Sequence, residues 1–304
     1  VEHAILHLLY SRFFMQALSY ENKNFNIMEP FEGLFTQGMV CHETYKDSEN
    51  NWVSPDELET IDGKKYLKKD HTKKITIGPS ESMSKSKKNT IDPENIIMSY
   101  GADSARLFIL SDSPPEKDVQ WSEEGIISSF KFIQKLWNLN LKILEEMKKD
   151  HKEDSDNELS KETNRFLKKI TQNLENFSYN KIIANLYEIY SFLIKKIKQN
   201  YKKETLKSNY EKILIVIMPV IPHFSNECLE LINSKNVHWP NYDETLLVNE
   251  KINIVVQING KKRGLIETKR NISEKEVLEK IMLDQNIKKY IENKQLKRKI
   301  FVTN

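Results

Sequence analysis

A polar loop rich in lysine and serine, residues 81–89, holds the side chains that could do chemistry. It reads Glu-Ser-Met-Ser-Lys-Ser-Lys-Lys-Asn and lies between Gly78-Pro79 and Asp92-Pro93. Lysine ammonium groups, serine hydroxyls and backbone N–H groups are donors that proteins present to polyphosphates. If the bond that breaks lies between phosphates, a lysine that follows the leaving group stabilises charge that develops only in the transition state. The loop therefore predicts half of a nucleotide site.

Pattern alone leaves two interpretations of this loop open. A tract rich in lysine and serine is also typical of a solvated turn with no catalytic part. A Walker-type phosphate loop is excluded, because the glycine spacing that it requires is absent from the sequence. The elements around the loop must therefore decide between catalysis and a solvated turn.

The composition describes a polar chain of several domains. Its 304 residues are 38% hydrophobic and 30% charged, with a mean hydropathy of −0.61, and suffice for two or three domains with separate cores. No run approaches the roughly 18 apolar residues of a membrane span, so no membrane partner is predicted. Cys41 and Cys228 have no Cys-x-x-Cys partner, which argues against a disulfide framework or a thiolate zinc site and favours a reducing cytoplasm.

Charge is distributed unevenly along the chain. Residues 251–304 contain 14 Lys and Arg against 6 Asp and Glu, a balance of +8, and since the whole chain carries +3, residues 1–250 carry −5. A basic C-terminal region beside an acidic remainder predicts a polyanionic partner.

The N-terminal residues predict a helix. Val1 to Ala4 show no initiator methionine, signal peptide or helix cap, so we expect residue 1 to be a cut through a longer protein. Apolar residues at spacings of three and four predict a helix over residues 2–19, whose other face carries His3, His7 and Tyr10. Two histidines four apart resemble half of a metal site, but no third ligand cluster appears, so packing of polar side chains is favoured and no metal site is assigned.

A small insertion is predicted next. Residues 34–40 are typical of a strand or strand entry, and residues 43–80 are charged and rich in turns. Short strands are predicted around Tyr66-Leu67 and over residues 75–77.

Capping residues then predict a series of helices. Asp92 is an N-cap with Pro93 at the first helical position, and Gly101 ends that helix. Asp103 is predicted to cap a helix over residues 104–110. Ser122 begins a long helix to about residue 148, with Ile126, Ile127, Phe130, Ile133, Leu136 and Trp137 on its apolar side. Further helices near 160–177, 179–200, 206–218 and 224–232 predict an antiparallel bundle.

The C-terminal region changes from helical to alternating periodicity. Residues 251–258 predict a strand, Asn259-Gly260 a hairpin turn, and residues 264–268 the returning strand. Ser273 and Glu276 form a capping box for a helix to about Leu283. A second short helix and a strand over residues 299–302 complete the predicted unit.

Several short motifs carry a resemblance to a known family. They are Met83-Ser84-Lys85-Ser86-Lys87, Asp92-Pro93-Glu94, Tyr100-Gly101-Ala102-Asp103, residues 2–10 (Glu-His-Ala-Ile-Leu-His-Leu-Leu-Tyr), Gln37-Gly38-Met39-Val40, Pro114-Pro115-Glu116 and Val256-Gln257-Ile258-Asn259-Gly260-Lys261. The chain resembles class I aminoacyl-tRNA synthetases, and among them the bacterial leucyl type, from its first residue to its last.

This resemblance implies a nucleotide-binding role for the loop. It implies that Lys85 contacts the phosphates of ATP and stabilises the pyrophosphate leaving group, while Met83, Ser84 and Ser86 shape the loop. It implies that Glu2 holds the adenosine ribose and that His7 lines the leucine pocket; pattern alone favours a solvated acid and a packing histidine. The implied reaction is ATP-dependent activation of leucine and its transfer to tRNA(Leu) by a monomeric full-length enzyme in the cytoplasm, with Mg²⁺ assisting the phosphates.

The resemblance also implies a multidomain fold that is α/β in one part and all-α in another. Residues 1–42 would be the C-terminal remnant of a Rossmann catalytic domain, 43–80 a small β-containing leucine-specific insertion, 81–112 the signature loop with connecting helices, 113–233 an antiparallel anticodon-binding bundle, and 250–304 a small α+β tRNA-binding domain truncated at its end. The candidate phosphate contacts in this last domain are Lys261, Lys262, Arg263, Lys269, Arg270, Lys297, Arg298 and Lys299, and for each of them a solvated surface charge is the alternative.

Two departures from the family pattern affect the expected activity. Ser82 stands where the signature has its first lysine, so one phosphate contact is lost or is supplied by Lys87, Lys88 or the insertion. The His-Ile-Gly-His motif and the editing domain of the family are absent from these 304 residues, so we expect the chain alone to be inactive. A free-standing RNA-binding or scaffolding protein that kept the helices and the basic domain is the second hypothesis.

Overall fold

A computed structural model describes residues 4–149, 151–236, 238–247, 251–269, 272–291 and 300–301. Within these residues, no helix combines the length and the apolar character that a bilayer crossing requires. Three separate groups of buried apolar side chains form the cores of a small β region, a helical bundle and a C-terminal α+β unit.

The N-terminal helix is present, but its apolar side chains are not in a core. A π-helical stretch, Ala4–Leu9, continues into α1, Tyr10–Ser19, which has no buried residue. The exposed side chains include Leu6, Leu9, Phe13, Phe14 and Leu18. Their periodicity therefore predicted the helix correctly without indicating a partner for it.

Of the two alternatives for residues 34–40, a strand or the entry to a strand, the structure has the entry. The first strand, β1, spans Val40–Lys46. Before it, the N–H of Gly38 donates to the carbonyl of Pro115 at 2.8 Å, and the N–H of Met39 donates to the Asp118 carboxylate at 2.8 Å. A Cβ at position 38 would lie 2.1 Å from the Lys117 carbonyl oxygen, so this close approach requires glycine.

Two sheets follow, and β1 is the centre of the first. Its other strands are β2 (Trp52–Val53), β6 (Thr76–Ser82) and β7 (Val119–Gln120). β6 and β2 pair with β1 antiparallel, whereas β7 pairs with it in parallel. The second sheet is the meander β3 (Leu58–Ile61), β4 (Lys64–Leu67) and β5 (Asp70–Lys74). The strand predicted around residues 66–67 is confirmed, and that predicted over 75–77 is present at residues 76–77, whereas Ile75 separates β5 from β6. The predicted boundaries at 42/43 and 80/81 fall inside β1 and β6.

The helices form around one large core. They are α2 (Pro93–Tyr100), α3 (Ala102–Ser111), α4 (Glu123–Glu146), α5 (Glu158–Glu175), α6 (Tyr179–Lys196), α7 (Lys203–Ile217) and α8 (Pro222–Leu231). Ser122 caps α4, because its hydroxyl accepts from the N–H of Gly125 at 3.1 Å. Only three residues connect α5 to α6, which makes these two helices antiparallel neighbours. Leu107 is buried with this core, so α3 packs as part of the bundle.

The buried face of α4 is rotated relative to the prediction. Its most buried apolar side chains are Ile126, Phe132, Leu136, Leu139 and Ile143. The other predicted members, Ile127, Phe130, Ile133 and Trp137, are half-buried. The ring centroid of Phe130 lies 5.8 Å from that of Tyr100 in α2, so the second edge of the apolar face meets the helices that follow the loop.

Ion pairs around the buried Lys196 link the α4–α5 connection to the end of α6. The side chain of Lys196 is 10% exposed and its ammonium donates to Asp156 at 3.1 Å and to Glu158. The Tyr201 hydroxyl also donates to Asp156, at 2.9 Å. Burial of the Asp156 carboxyl raises its pKa, but the hydrogen bonds from Lys196, from the Glu158 N–H and from Tyr201 outweigh burial, so the pKa is lowered overall.

Replacement of Lys196 by methionine is expected to lower the free energy of unfolding by about 1–2 kcal/mol at neutral pH. A carboxyl with a lowered pKa stabilises the fold above its unfolded pKa, 3.8, and loses that contribution as the pH falls through the folded value. The difference between Lys196→Met and the original chain should therefore shrink below pH 3.8. Urea unfolding at neutral and acidic pH measures it. The exposed Lys198→Met is the control, and a difference that does not depend on pH would contradict the assignment.

The C-terminal unit is a hairpin covered by two short helices. β8 (Lys251–Ile258) and β9 (Lys261–Lys269) pair antiparallel, and α9 (Glu274–Leu283) and α10 (Gln285–Lys288) follow. The Asn259-Gly260 turn is confirmed, with φ of 52° and 75° at its two residues, as is the capping box of Ser273 and Glu276. The predicted strand over 299–302 is not seen at residues 300–301, which are irregular, and its two ends lie outside the described residues.

Candidate functional site

A buried asparagine holds the lysine- and serine-rich loop against the sheet. Asn89 is fully buried, and its side-chain oxygen accepts from the N–H of Ser84 at 2.8 Å. Its amide nitrogen donates to the carbonyls of His42 in β1 and Glu81 in β6, each at 3.2 Å, and lies 3.5 Å from that of Ser82. One side chain therefore joins the start of the loop to both paired strands.

The middle of the loop is one compact turn. The hydroxyl of Ser84 accepts from the N–H of Lys87 at 3.3 Å and lies 3.2 Å from the hydroxyl of Ser86. The N–H of Lys88 donates to the carbonyl of Lys85 at 3.3 Å. Lys88 has φ of 52°, in the left-handed region that asparagine and glycine tolerate better than lysine. The hydroxyls of Ser84 and Ser86 thus lie within one set of local contacts in this turn.

The three lysines of the loop differ in availability. The ammonium of Lys87 is half-buried and donates to the carboxylate of Glu81. The side chains of Lys85 and Lys88 are exposed and have no hydrogen-bond or ion-pair partner among the described residues. Lys85 is therefore free to bind an anion, whereas Lys87 must first leave Glu81.

Two side chains of β1 beneath the loop, His42 and Cys41, are buried and poorly suited to proton transfer. His42 is buried, and burial lowers the pKa of its imidazole. Burial, with a smaller contribution from Asp118, raises the pKa of the neighbouring Cys41 thiol. Both groups are therefore neutral at physiological pH, and the loop carries the charge at this end of the sheet.

The predicted ligands for the adenosine and leucine moieties are not assembled around the loop. Glu2 lies outside the described residues. His7 is exposed, with its ring centroid 5.8 Å from that of Phe31, and no contact joins it to the loop in the described part of the chain. Met83 is half-buried, and its N–H donates to the Val40 carbonyl at 3.2 Å. Sequence reasoning missed Asn89, although an amide side chain at the end of a polar loop is a common source of such turn contacts.

The candidate phosphate contacts of the C-terminal unit fall into three groups. Lys261 and Lys262 are exposed beside the hairpin turn. Arg263 is half-buried, with its guanidinium 4.3 Å from the ring centroid of Tyr290, so the stacking contact already engages it. For Lys269 only the backbone is described, and Arg270, Lys297, Arg298 and Lys299 lie outside the described residues.

The residues that are described offer no group of three or more His, Cys, Asp or Glu side chains that could hold a metal ion. They therefore do not fit a cation held by the protein alone, and no residue is assigned to Mg²⁺.

Comparisons with known proteins match the chain as two consecutive units. A family model for class I tRNA synthetases of the I, L, M and V types covers residues 75–122, from β6 through the loop to β7. A model for the anticodon-binding domain of tRNA ligases covers residues 156–279, from the bundle into the C-terminal unit. The leucine–tRNA ligase of Bartonella quintana is 41% identical over 99% of the present chain. That of Orientia tsutsugamushi is 39% identical over 100% of the present chain. Over its whole length the chain is similar to leucine–tRNA ligases.

A solved leucine–tRNA ligase shows the same fold. The ternary complex of Agrobacterium radiobacter K84 agnB2 LeuRS with tRNA and LeuAMS superposes with a TM-score of 0.71 at 23% identity, covering 99% of this chain and 36% of that one. The chain also spans 36% of the length of the two curated relatives. The similarity thus extends over the whole chain, which corresponds in length to about a third of a leucine–tRNA ligase.

Proposed function

We propose that the chain forms the C-terminal portion of a leucine–tRNA ligase, which as a whole enzyme activates leucine with ATP and transfers it to tRNA(Leu) in the cytoplasm. The observation that carries this proposal is similarity to leucine–tRNA ligases over the whole chain, including both the loop and the basic C-terminal unit. A free-standing RNA-binding scaffold would have no need for a loop whose turn is ordered by Ser84 and Asn89 and whose Lys85 is left free.

Lys85 is the residue assigned to the chemistry. Its exposed ammonium would contact the ATP phosphates and stabilise the pyrophosphate that leaves when the leucine carboxylate attacks the α-phosphate. Met83, Ser84 and Ser86 hold the turn in which Lys85 stands. Any Mg²⁺ would enter with the phosphates.

The other regions receive roles consistent with the family. Residues 1–42 belong to a Rossmann catalytic domain, with Glu2 at the ribose and His7 at the leucine pocket. Residues 43–80 are the leucine-specific insertion, and residues 81–112 carry the signature loop and its connecting helices. Residues 113–233 form the anticodon-binding bundle, and residues 250–304 bind tRNA. The full-length enzyme would be a monomer.

The loop assignment predicts selective weakening of phosphate binding. In a titration with inorganic pyrophosphate, Lys85→Met should reduce the affinity of the chain several-fold, because a free ammonium is removed. Lys23→Met, which removes an exposed lysine elsewhere, is the control. Equal affinities for the original chain and Lys85→Met would contradict the role of Lys85. The same chain should show no leucine-dependent exchange of pyrophosphate into ATP, because it lacks the His-Ile-Gly-His motif.

The C-terminal surface predicts a change in salt dependence. Lys261→Ala with Lys262→Ala should weaken tRNA(Leu) binding and lower the slope of log K against log salt by about 2, since each lysine neutralises about one phosphate. Filter binding between low and physiological salt measures the slope. An unchanged slope would remove these two residues from the interface, and Lys181→Ala on α6 is the matched surface control.

A further inference from the structure

A wide cleft lies apart from the loop, where the helices after it meet the bundle. It has a volume of about 940 Å³ and is lined by residues of α2, α3, α4 and α8. Nothing in the proposed chemistry uses it. Its lining residues are nevertheless regularly spaced. Helix α4 contributes two adjacent pairs of residues four positions apart, and α8 contributes one such pair.

The floor of the cleft is apolar and aromatic. Ile133 and Trp137, four apart on α4, lie on one face of that helix, and both are half-buried against the bundle core. Tyr100 and Phe224 add two further rings from α2 and α8. Aromatic side chains of this kind form surfaces on which a flat ring system stacks.

The rim of the cleft is polar and includes a fixed histidine. Gln134 and Asn138 form a second row on α4, and His223 and Glu227 form a row on α8. The carboxylate of Asp103, which is buried, lies 3.0 Å from Nδ1 of His223 and accepts from the N–H of Phe224 at 2.7 Å. This pair restrains the imidazole, although its side chain is 75% exposed.

Charge distinguishes this cleft from a phosphate site. The lining residues include two carboxylates, Asp103 and Glu227, and among those described they include no lysine or arginine. Since Asp103 is already bonded to α8, Glu227 is the carboxylate left to accept hydrogen bonds from a ligand. A ligand must therefore combine a flat aromatic body with at least two N–H donors, and its phosphates must remain outside.

We propose that this cleft binds an unpaired guanine base of bound RNA. Glu227 would accept hydrogen bonds from N1–H and from the exocyclic amine of guanine. The side-chain amides of Gln134 and Asn138 would donate to the guanine carbonyl oxygen, and the ring would stack on Trp137. Adenine lacks this pair of adjacent donors. The inference rests on the proposed function, because tRNA supplies the base. An arginine side chain of a peptide also fits a carboxylate and an indole, but it offers no acceptor for the amide N–H groups.

The test is a titration of the chain with guanosine monophosphate, in which quenching of tryptophan fluorescence reports binding. We expect quenching that disappears in Trp137→Phe, and an affinity about tenfold higher for guanosine than for adenosine monophosphate. Glu227→Gln should lower the guanosine affinity about tenfold and leave the adenosine affinity unchanged. Glu230→Gln is the matched control, since Glu230 is exposed on the same helix and does not line the cleft.

Three results would overturn the proposal: equal affinities for the two nucleotides, an unchanged guanosine affinity in Glu227→Gln, or tighter binding of N-acetyl-arginine amide at the same residues. Filter binding of tRNA(Leu) separates this inference from the proposed function. Retention of tRNA without guanosine binding defeats the inference alone. Selective guanosine binding without retention of tRNA would show that RNA does not supply the base, and it would contradict the proposed function.

Discussion

Replacement of Asn89 by alanine is expected to destabilise the end of the β1–β6 sheet by about 2–3 kcal/mol and to release the loop. The change leaves the N–H of Ser84 and the carbonyls of His42 and Glu81 without the partners that they have at 2.8 to 3.2 Å. Each buried group that loses its partner lowers the free energy of unfolding by about 1–3 kcal/mol, and hydrogen bonds to water at this edge of the sheet will offset part of that loss. Hydrogen exchange at the Ser84 amide reports the release directly, and urea unfolding reports the loss of stability.

Two variants separate this effect from a general change in the loop. Asn89→Asp keeps an oxygen that can accept from Ser84 but loses the donor to the strand carbonyls, so its effect should be intermediate or larger, according to the cost of the buried charge. Ser86→Ala, at an exposed position, should change stability by less than about 0.5 kcal/mol. Unchanged exchange at Ser84 in Asn89→Ala would show that the turn forms without this side chain.

Replacement of Asp103 by alanine is expected to lower the free energy of unfolding of the bundle by about 3 kcal/mol. The Asp103 carboxylate accepts from the N–H groups of Phe224, at 2.7 Å, and His223, at 3.3 Å. It thereby caps α8 from another helix, in addition to its contact with the imidazole of His223. Hydrogen bonds to a charged group contribute about 1.5–3 kcal/mol, and the N-terminal N–H groups of α8 would be left unpaired. Thermal and urea unfolding measure the loss.

An exposed acid nearby provides the control for this cap. Asp112→Ala removes a carboxylate just after the end of α3 and should change stability by less than about 0.5 kcal/mol. Arg106, one turn after Asp103, donates to the carbonyls of Pro219 and Val220, so α3 holds the α7–α8 connection at two points. A loss in Asp103→Ala no larger than that in Asp112→Ala would contradict the capping role.

Features encoded by adjacent residues could be predicted from the sequence. Asp92 caps α2, with its carboxylate accepting from the N–H of Glu94 at 2.9 Å, and Gly101 ends that helix with φ of 83°. The Asn259-Gly260 turn likewise sets the pairing of β8 with β9. These signals act over two to four residues, so a single sequence contains all of their causes.

Contacts between distant segments could not be predicted in the same way. Asp103 has the sequence position of a local N-cap, yet its carboxylate reaches α8, 120 residues later. Residues 34–39 have the composition of a strand, but Gly38 and Met39 bond to residues 115–118 as single contacts. Only the folded chain brings these partners together, and the tertiary contact then overrides local preference.

At the candidate site, too, local features could be predicted from the sequence and contacts formed by folding could not. The lysine and serine content of the loop left phosphate binding and a solvated turn open, and Lys85 is exposed in the structure. The sequence did not indicate that Glu81 would neutralise Lys87, or that Arg263 would stack on Tyr290. Both contacts depend on how a turn or a hairpin folds back on its neighbours. Among the described lysines that the sequence singled out, Lys85 and Lys88 in the loop and Lys261 and Lys262 in the C-terminal unit are exposed and remain candidates for contact with phosphate.

Equilibrium binding of tRNA(Leu) to the chain, compared with a tRNA of another identity and repeated at 50 and 200 mM salt, tests the central claim most directly. We expect tRNA(Leu) to bind more tightly than the other tRNA, with an affinity that falls on the order of a hundredfold between the two salt concentrations if about four phosphates are neutralised. Failure to retain tRNA(Leu) at 50 mM salt, or equal affinity for both tRNAs, would contradict the assignment of this chain to leucine–tRNA ligation.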